Sequence, residues 1–222
     1  IFGILGIYML RDFGSLASAV DETHFNFIQR LFIGAFSFVI YLVKLIVPFR
    51  MSPLYPYPNY FPWYFYPSIL IAPVVIYVLF QSYKKEHKIV FFGLTFFIVN
   101  IVFLLQILGA GQGYLADRFT YIAYLGFFIM AGYYLDKTLT SNESKSGIAL
   151  GASAIFLLAF SLLTFNQNKI WKNSATLWTH VLKYYKNTTL PYGNRANYYR
   201  DNKMYKEAID DYNTTIAMKD NQ

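Results

Sequence analysis

The feature that most limits this chain is a succession of apolar runs, each about as long as a bilayer is thick, separated by short segments that carry the cations. Phe27 to Phe49 holds charge only at Arg30 and Lys44, near opposite ends, and Trp63 to Ser82, Ile89 to Leu108, Phe119 to Leu135 and Gly147 to Phe165 hold none. A helix rises ~1.5 Å per residue, so ~20 apolar residues cover the hydrocarbon core. Only helices and closed barrels satisfy every backbone polar group in lipid, and runs of this length and spacing specify helices. Ile1 to Leu10 is about half such a run and reads as the tail of a further span, so the sequence is expected to be a piece of a longer protein at both ends.

Composition agrees. Of 222 residues, 56% are hydrophobic and 14% charged, against about 25% charged in an average soluble domain. That excludes disorder and argues against a single water-soluble globule. The apolar runs stop near Phe165, and the rest is polar and Lys-rich. The expected organisation is therefore a transmembrane helical domain over 1–165 and a water-facing helical part over 166–222. The net charge of +7 is scattered between the runs rather than gathered on one face, which argues against nucleic acid as a partner.

Cysteine is absent, and the three histidines, His24, His87 and His180, lack metal-ligand spacing, so neither a thiol nucleophile nor a metal site is expected. No nucleophile elbow, phosphate-cradling loop or H-E-x-x-H pattern is present. The glycine-rich stretch Gly109 to Gly113 sits at the end of a run, where tight turns are common.

Orientation follows from Lys and Arg in the short loops. Arg11, Arg30, Lys84, Lys85, Lys88, Lys137 and Lys145 fall on one side, expected to be cytoplasmic. Arg50 and Arg118, with Lys44 just inside, fall on the other. The polar tail after Phe165 then lies on the extracytoplasmic side. There Lys44, Arg50 and Arg118 are candidates for holding a lipid phosphate, Arg through paired N–H donors and Lys as a point charge. The intervening loop, Met51 to Trp63, is dense in Pro and aromatics. It fits both an aromatic belt at the headgroup level and a substrate groove presenting Tyr55 and Tyr57, with Asp117 and Tyr121 close by in sequence to Arg118. Asn100 and Gln106 are expected to hydrogen-bond between helices.

In the tail, Leu177, Trp178, Val181 and Leu182 make one apolar stripe. Placing Ala208 at the small position of the second helix of a 34-residue tetratricopeptide unit puts Tyr192, Ala196, Tyr199 and Tyr212 on that repeat's aromatic and small positions. Thr215 and Asp220 depart from the pattern. The fold class expected is all-α: a polytopic helical membrane domain followed by a tetratricopeptide-repeat hairpin.

Several runs together carry a resemblance: Tyr41-Leu42-Val43-Lys44-Leu45-Ile46-Val47-Pro48, Met51-Ser52-Pro53-Leu54-Tyr55-Pro56-Tyr57-Pro58, Ala116-Asp117-Arg118-Phe119-Thr120-Tyr121-Ile122, and Trp171-Lys172-Asn173-Ser174 entering the repeat. The chain resembles bacterial membrane proteins related to the TMTC-type protein O-mannosyltransferases of the GT-C superfamily. The resemblance implies a bacterial inner-membrane protein with a periplasmic repeat tail. It implies a polyprenyl-phosphate sugar as donor, membrane lipid as surroundings and an acceptor protein held by the repeats. It also implies that the catalytic acidic residue lies in a first outward loop, ahead of Ile1, and that Arg118, Lys44 or Arg50 stabilises the leaving phosphate. The alternative is a membrane-anchored repeat scaffold without catalysis.

Overall fold

The structure, a computed structural model, describes residues 25–107, 113–141 and 143–220. The Ile1 to Leu10 run, Arg11, His24, most of the glycine-rich stretch and Gln222 lie outside the described residues. The fold is all-α. Two compact units divide it, one made by the chain up to Arg50 with Tyr57–Leu150, the other by Met51–Pro56 with Gly151 onward.

In the first unit, helix α1 runs over Phe27–Ile46. Asn26 starts it with a reciprocal cap: its side chain accepts the Gln29 N–H at 2.8 Å, and the Gln29 side chain accepts the Asn26 N–H at 2.9 Å. Such a pair satisfies two amides that a helix start otherwise leaves open. Pro48, which has no amide to donate, follows its end. Ile33, Gly34, Ser37, Phe38, Tyr41 and Lys44 form its buried stripe at spacings of three and four. Ile28, Leu31, Val43 and Ile46 are exposed on the other side. Ser37, Tyr41 and Lys44 point inward beside Ile33 and Phe38 while large apolar side chains face outward, an arrangement suited to lipid.

The second expected span is continuous over Trp63–Lys84. Pro67 removes a donor from its hydrogen-bond ladder, and Trp63–Leu70 winds as a 3-10 helix before α2, Ile71–Lys84. The third is shorter than its apolar run. Helix α3 covers Lys88–Ile101 and tightens into a 3-10 turn at Val102–Leu104. Gln106, at φ 58°, then turns the chain out of helical geometry. After an extended piece at Gly113–Leu115, a 3-10 turn at Asp117–Phe119 leads through α4, Thr120–Ala123, into α5, Leu125–Ser141.

Helix α6 covers Glu143–Ile170. Among the described residues, three helices are long and apolar enough to cross a membrane: Phe27–Ile46, Trp63–Lys84 and Lys145–Ile170.

Helices α3 and α5 meet backbone to backbone. A Cβ placed on Gly93 would come within 2.7 Å of the Gly126 carbonyl and would overlap the Met130 side chain, while one on Gly126 would collide with the Gly93 carbonyl. Small residues permit this approach, which is how helices associate where no hydrophobic effect separates lipid from protein. Phe97 fills the space beside the crossing, its ring 4.9 Å from Phe127 and 5.4 Å from Phe38.

In the second unit, α7 spans Ser174–Tyr184 behind a reciprocal cap made by Asn173 and Thr176. Helices α8, Thr189–Asp201, and α9, Tyr205–Asp220, form a hairpin that turns at Lys203, φ 62°. Ala196 and Ala208 are buried in it. Arg195 clamps it by donating Nε and Nη2 to the two Asp211 oxygens, each at 2.8 Å, and Nη1 to Thr179 at 3.0 Å.

Candidate functional site at the Asp117-Arg118 turn

The polar stripe of α1 meets the segment that leads into α4. Ser37 Oγ donates to the Tyr114 carbonyl at 3.2 Å. One turn on, the Tyr41 hydroxyl donates to the Ala116 carbonyl and accepts the Ala116 N–H, both at 3.2 Å. One turn further, Lys44 Nζ donates to Asp117 Oδ1 at 2.9 Å, and their side chains are only 2% and 10% exposed. Three consecutive contacts fasten Tyr114 and Ala116 of the extended segment and Asp117, which opens the 3-10 turn. Thr120 Oγ1 donates to the Asp117 carbonyl at 2.9 Å, and the Tyr124 hydroxyl donates back to the Tyr41 carbonyl at 2.6 Å. The turn is held from both sides.

This places the sequence-derived candidates in different settings. Lys44 is buried, its charge opposed by Asp117 and its Nζ lying 5.4 Å from the centre of the Phe49 ring. Asp117 is thus bound to Lys44, and Arg118 follows it with an exposed side chain whose guanidinium lies 5.2 Å from the Phe119 ring centre. Arg50 is exposed on a left-handed backbone, φ 45°. Tyr121 is 77% exposed.

Tyr55 and Tyr57 belong to different units. Tyr55 is buried with its ring 5.7 Å from that of Tyr185. Tyr57 packs against Phe25 and Tyr114, at 6.1 and 6.2 Å. Burial pushes its hydroxyl up to about 12, and the Arg30 cation pulls it only partly back. Asn100, expected to bond between helices, donates to the Phe96 carbonyl of its own helix at 2.8 Å.

Ser37, Tyr41, Thr120 and Tyr124, which build the turn, are not among the candidates drawn from the sequence, although Tyr41 and Thr120 stand within the runs that carry the resemblance. A signal for two of them was present: Ser37, Tyr41 and Lys44 stand at spacings of four and three within an apolar run, which puts them on one helical face.

In the second unit, a shallow groove of about 780 Å³ is lined by Thr176, Thr179, His180, Lys183 and Arg195 among others, with no acidic residue in the lining. His180 is fixed there by a 3.0 Å contact between Nε2 and the Met51 carbonyl. Asp211, bound through two N–H donors, holds the Arg195 guanidinium above its usual value.

The chain is similar to Protein O-mannosyl-transferase TMTC1. With the Homo sapiens protein it shares 25% identity over 152 residues, 68% of this chain and 17% of that protein. With the Mus musculus protein it shares 25% over 153 residues, 68% of this chain and 16% of that one. The matched stretch spans about one-sixth of the length of these relatives. No family model matches the chain, and no solved structure matches it significantly. This similarity and several helices long and apolar enough to cross a membrane both fit a membrane protein.

Proposed function

We propose that the chain is part of a GT-C-type membrane glycosyltransferase that moves a sugar from a polyprenyl-phosphate donor to a protein hydroxyl at the extracytoplasmic face. The observation that carries this reading is the Asp117-Arg118 turn. Four side chains on α1, α4 and the segment after it, together with the Lys44 to Asp117 ion pair, hold an otherwise irregular segment still so that one exposed guanidinium follows it at a fixed position. The similarity to the O-mannosyl-transferases supplies the reaction class.

In the reaction, the acceptor oxygen forms a bond to the anomeric carbon, the bond from that carbon to the phosphate oxygen breaks, and the phosphate leaves with the electron pair. The acceptor proton goes to a general base. Asp117 is bound to Lys44 and serves the turn, so the base is another carboxylate, which the resemblance assigns to the first outward loop of such enzymes. Arg118 neutralises charge gathering on the leaving phosphate, a role in which two parallel N–H donors suit the geometry. Arg50 is a second contact for the same phosphate, and Lys44 acts through Asp117.

The hairpin of α8 and α9 is the first unit of a tetratricopeptide array, supported by the burial of Ala196 and Ala208 in the expected register. The cationic groove beside it contacts the acceptor protein.

The test is transfer by the full-length protein from polyprenyl-phosphate sugars. Arg118→Ala is expected to lower kcat by about 10² or more, on the scale of losing a transition-state donor, with Arg118→Lys recovering part of it. Transfer unchanged by Arg118→Ala would remove Arg118 from the mechanism. No transfer by the parent protein, with acceptor protein still captured by the tail, would support the scaffold reading instead.

A further inference from the structure

Helix α1 is long and apolar enough to cross a bilayer, yet what it touches does not fit a crossing. Phe25, just before it, packs on Phe61 at 5.8 Å. Phe32 packs on Tyr66 at 5.2 Å, and Phe36 on Phe65 at 4.6 Å. A Cβ on Gly34 would come within 2.8 Å of the Ile107 side chain. Ser37 bonds Tyr114, Tyr41 bonds Ala116 and Lys44 bonds Asp117.

Phe61 to Tyr66 is the start of the α2 span, Ile107 follows the end of α3, and Tyr114 to Asp117 is the approach to α4 and α5. All three are ends that lie away from the Lys85-Glu86-His87 turn joining α2 to α3. These same-side ends accompany α1 from Phe25 to Lys44, about 28 Å at helical rise.

Suppose α1 crossed with Asn26 on the face of the Lys85-Glu86-His87 turn. Phe32, and Tyr66 with it, would then lie only about 9 Å from that face. From Tyr66, however, the second helix runs about 27 Å further before it reaches Lys84 and that same face. Tilt cannot absorb a threefold excess. Suppose instead that Lys44 lay on that face. Asp117, bound to it, would begin there a helical run of about 37 Å that ends at Ser141, on the face it had started from. Either crossing would also draw irregular backbone at residues 57–62 or 113–116 through the hydrocarbon depth, where unsatisfied peptide groups are costly.

We propose that α1 does not span the membrane but lies in the plane of the extracytoplasmic interface, its Ile28, Leu31, Val43 and Ile46 face seated on the acyl chains of that leaflet and its Ser37, Tyr41, Lys44 stripe turned up to the loops. The occupant of the exposed apolar face is therefore lipid. The groups bonded on its polar side belong to residues 114–117 and to Tyr124 just before α5, Phe38 reaches Phe97 about one turn before the end of α3, and the exposed residues named on its other face are apolar over the whole length, the pattern of an interfacial helix. Arg30 then sits on the same membrane face as Lys44, Arg50 and Arg118, and the sequence-based placement of Arg30 on the cytoplasmic side is replaced. That both ends of α1 share the face opposite the Lys85-Glu86-His87 turn rests on packing, that this face is extracytoplasmic rests on the Lys and Arg of the loops, and neither requires that the protein transfer a sugar.

The 222 residues contain no cysteine, so single reporters can be placed in the full-length protein once any cysteines elsewhere are replaced. Asn26→Cys, Asn59→Cys and Glu86→Cys are labelled with a membrane-impermeant maleimide in sealed vesicles, before and after permeabilisation. Asn26→Cys is expected to behave like Asn59→Cys and opposite to Glu86→Cys; agreement with Glu86→Cys overturns the proposal. A second measurement covers loss of the Asn26 cap. Fluorophores at Ile28, Val39 and Ile46, quenched by lipids brominated at known depths, should report one shallow depth. A profile that passes through the bilayer midplane at Val39 would mean that α1 crosses.

Discussion

Lys44 and Asp117 illustrate how burial changes the meaning of a charge. A cation at headgroup depth reads in the sequence as a phosphate ligand. In the fold its side chain is 2% exposed and its partner is a carboxylate at 2.9 Å, so its first task is to anchor a turn. Removing one member of a buried pair strands the other, at a cost of about 3–5 kcal/mol, whereas replacing both is often close to neutral. Asp117→Asn or Lys44→Met alone should therefore lower the thermal unfolding midpoint in detergent by several degrees, and the double variant should recover most of the loss. If the losses add instead, the two residues are not coupled. In the sequence Asp117 stands next to Arg118 and nothing local tells which cation it serves, because the answer depends on a contact 73 positions away in the chain.

At the scale of elements, the helices were largely legible and their ends less so. The start of α1 could be read from Asn26 and Gln29, a capping pair three residues apart, and its end from Pro48. The end of α3 could not: Val102 to Leu108 is as apolar as the residues before it, and what stops the helix is a turn at Gln106 and close packing against Gly34. Periodicity reports which face is apolar and is silent about depth or direction in a bilayer, which is why α1 reads as a crossing until its neighbours are known. The Gly93 and Gly126 crossing shows the same limit, since nothing local separates a glycine in contact from one facing lipid. Gly126→Ala should destabilise the protein by about 1–3 kcal/mol through overpacking. Gly132→Ala, whose added methyl meets nothing within 4 Å beyond its own helix backbone, should leave the unfolding midpoint unchanged or slightly raised. Equal effects would mean that the crossing is not close.

At the scale of the whole chain, the shift from apolar runs to a polar, helical tail was visible in composition alone. The assignment of Met51–Pro56 to the unit that contains that tail was not, because it rests on contacts such as Gln167 and His180 reaching the Met51 carbonyl. The tail unit depends on its own ion pair. Asp211 is buried and accepts two N–H donors from Arg195. Asp211→Ala should open the α8 and α9 hairpin, seen in limited proteolysis as faster cleavage after Lys203, while the fragments carrying α1 to α5 stay intact. Cleavage spreading evenly over both units would argue against their independence.

The Tyr41 hydroxyl meets the N–H and the carbonyl of a single residue, Ala116, whose backbone is extended at φ −150° and ψ 130°. In an extended chain both groups of one residue face the same edge, and those of the next face the other. One hydroxyl can therefore engage the strand only at every second position. Tyr41 works as an index pin: a slip of one residue offers it nothing to hold, and a slip of two carries Asp117 out of reach of Lys44. The guanidinium of Arg118 is thus left with a single register, set by a phenol on a different helix.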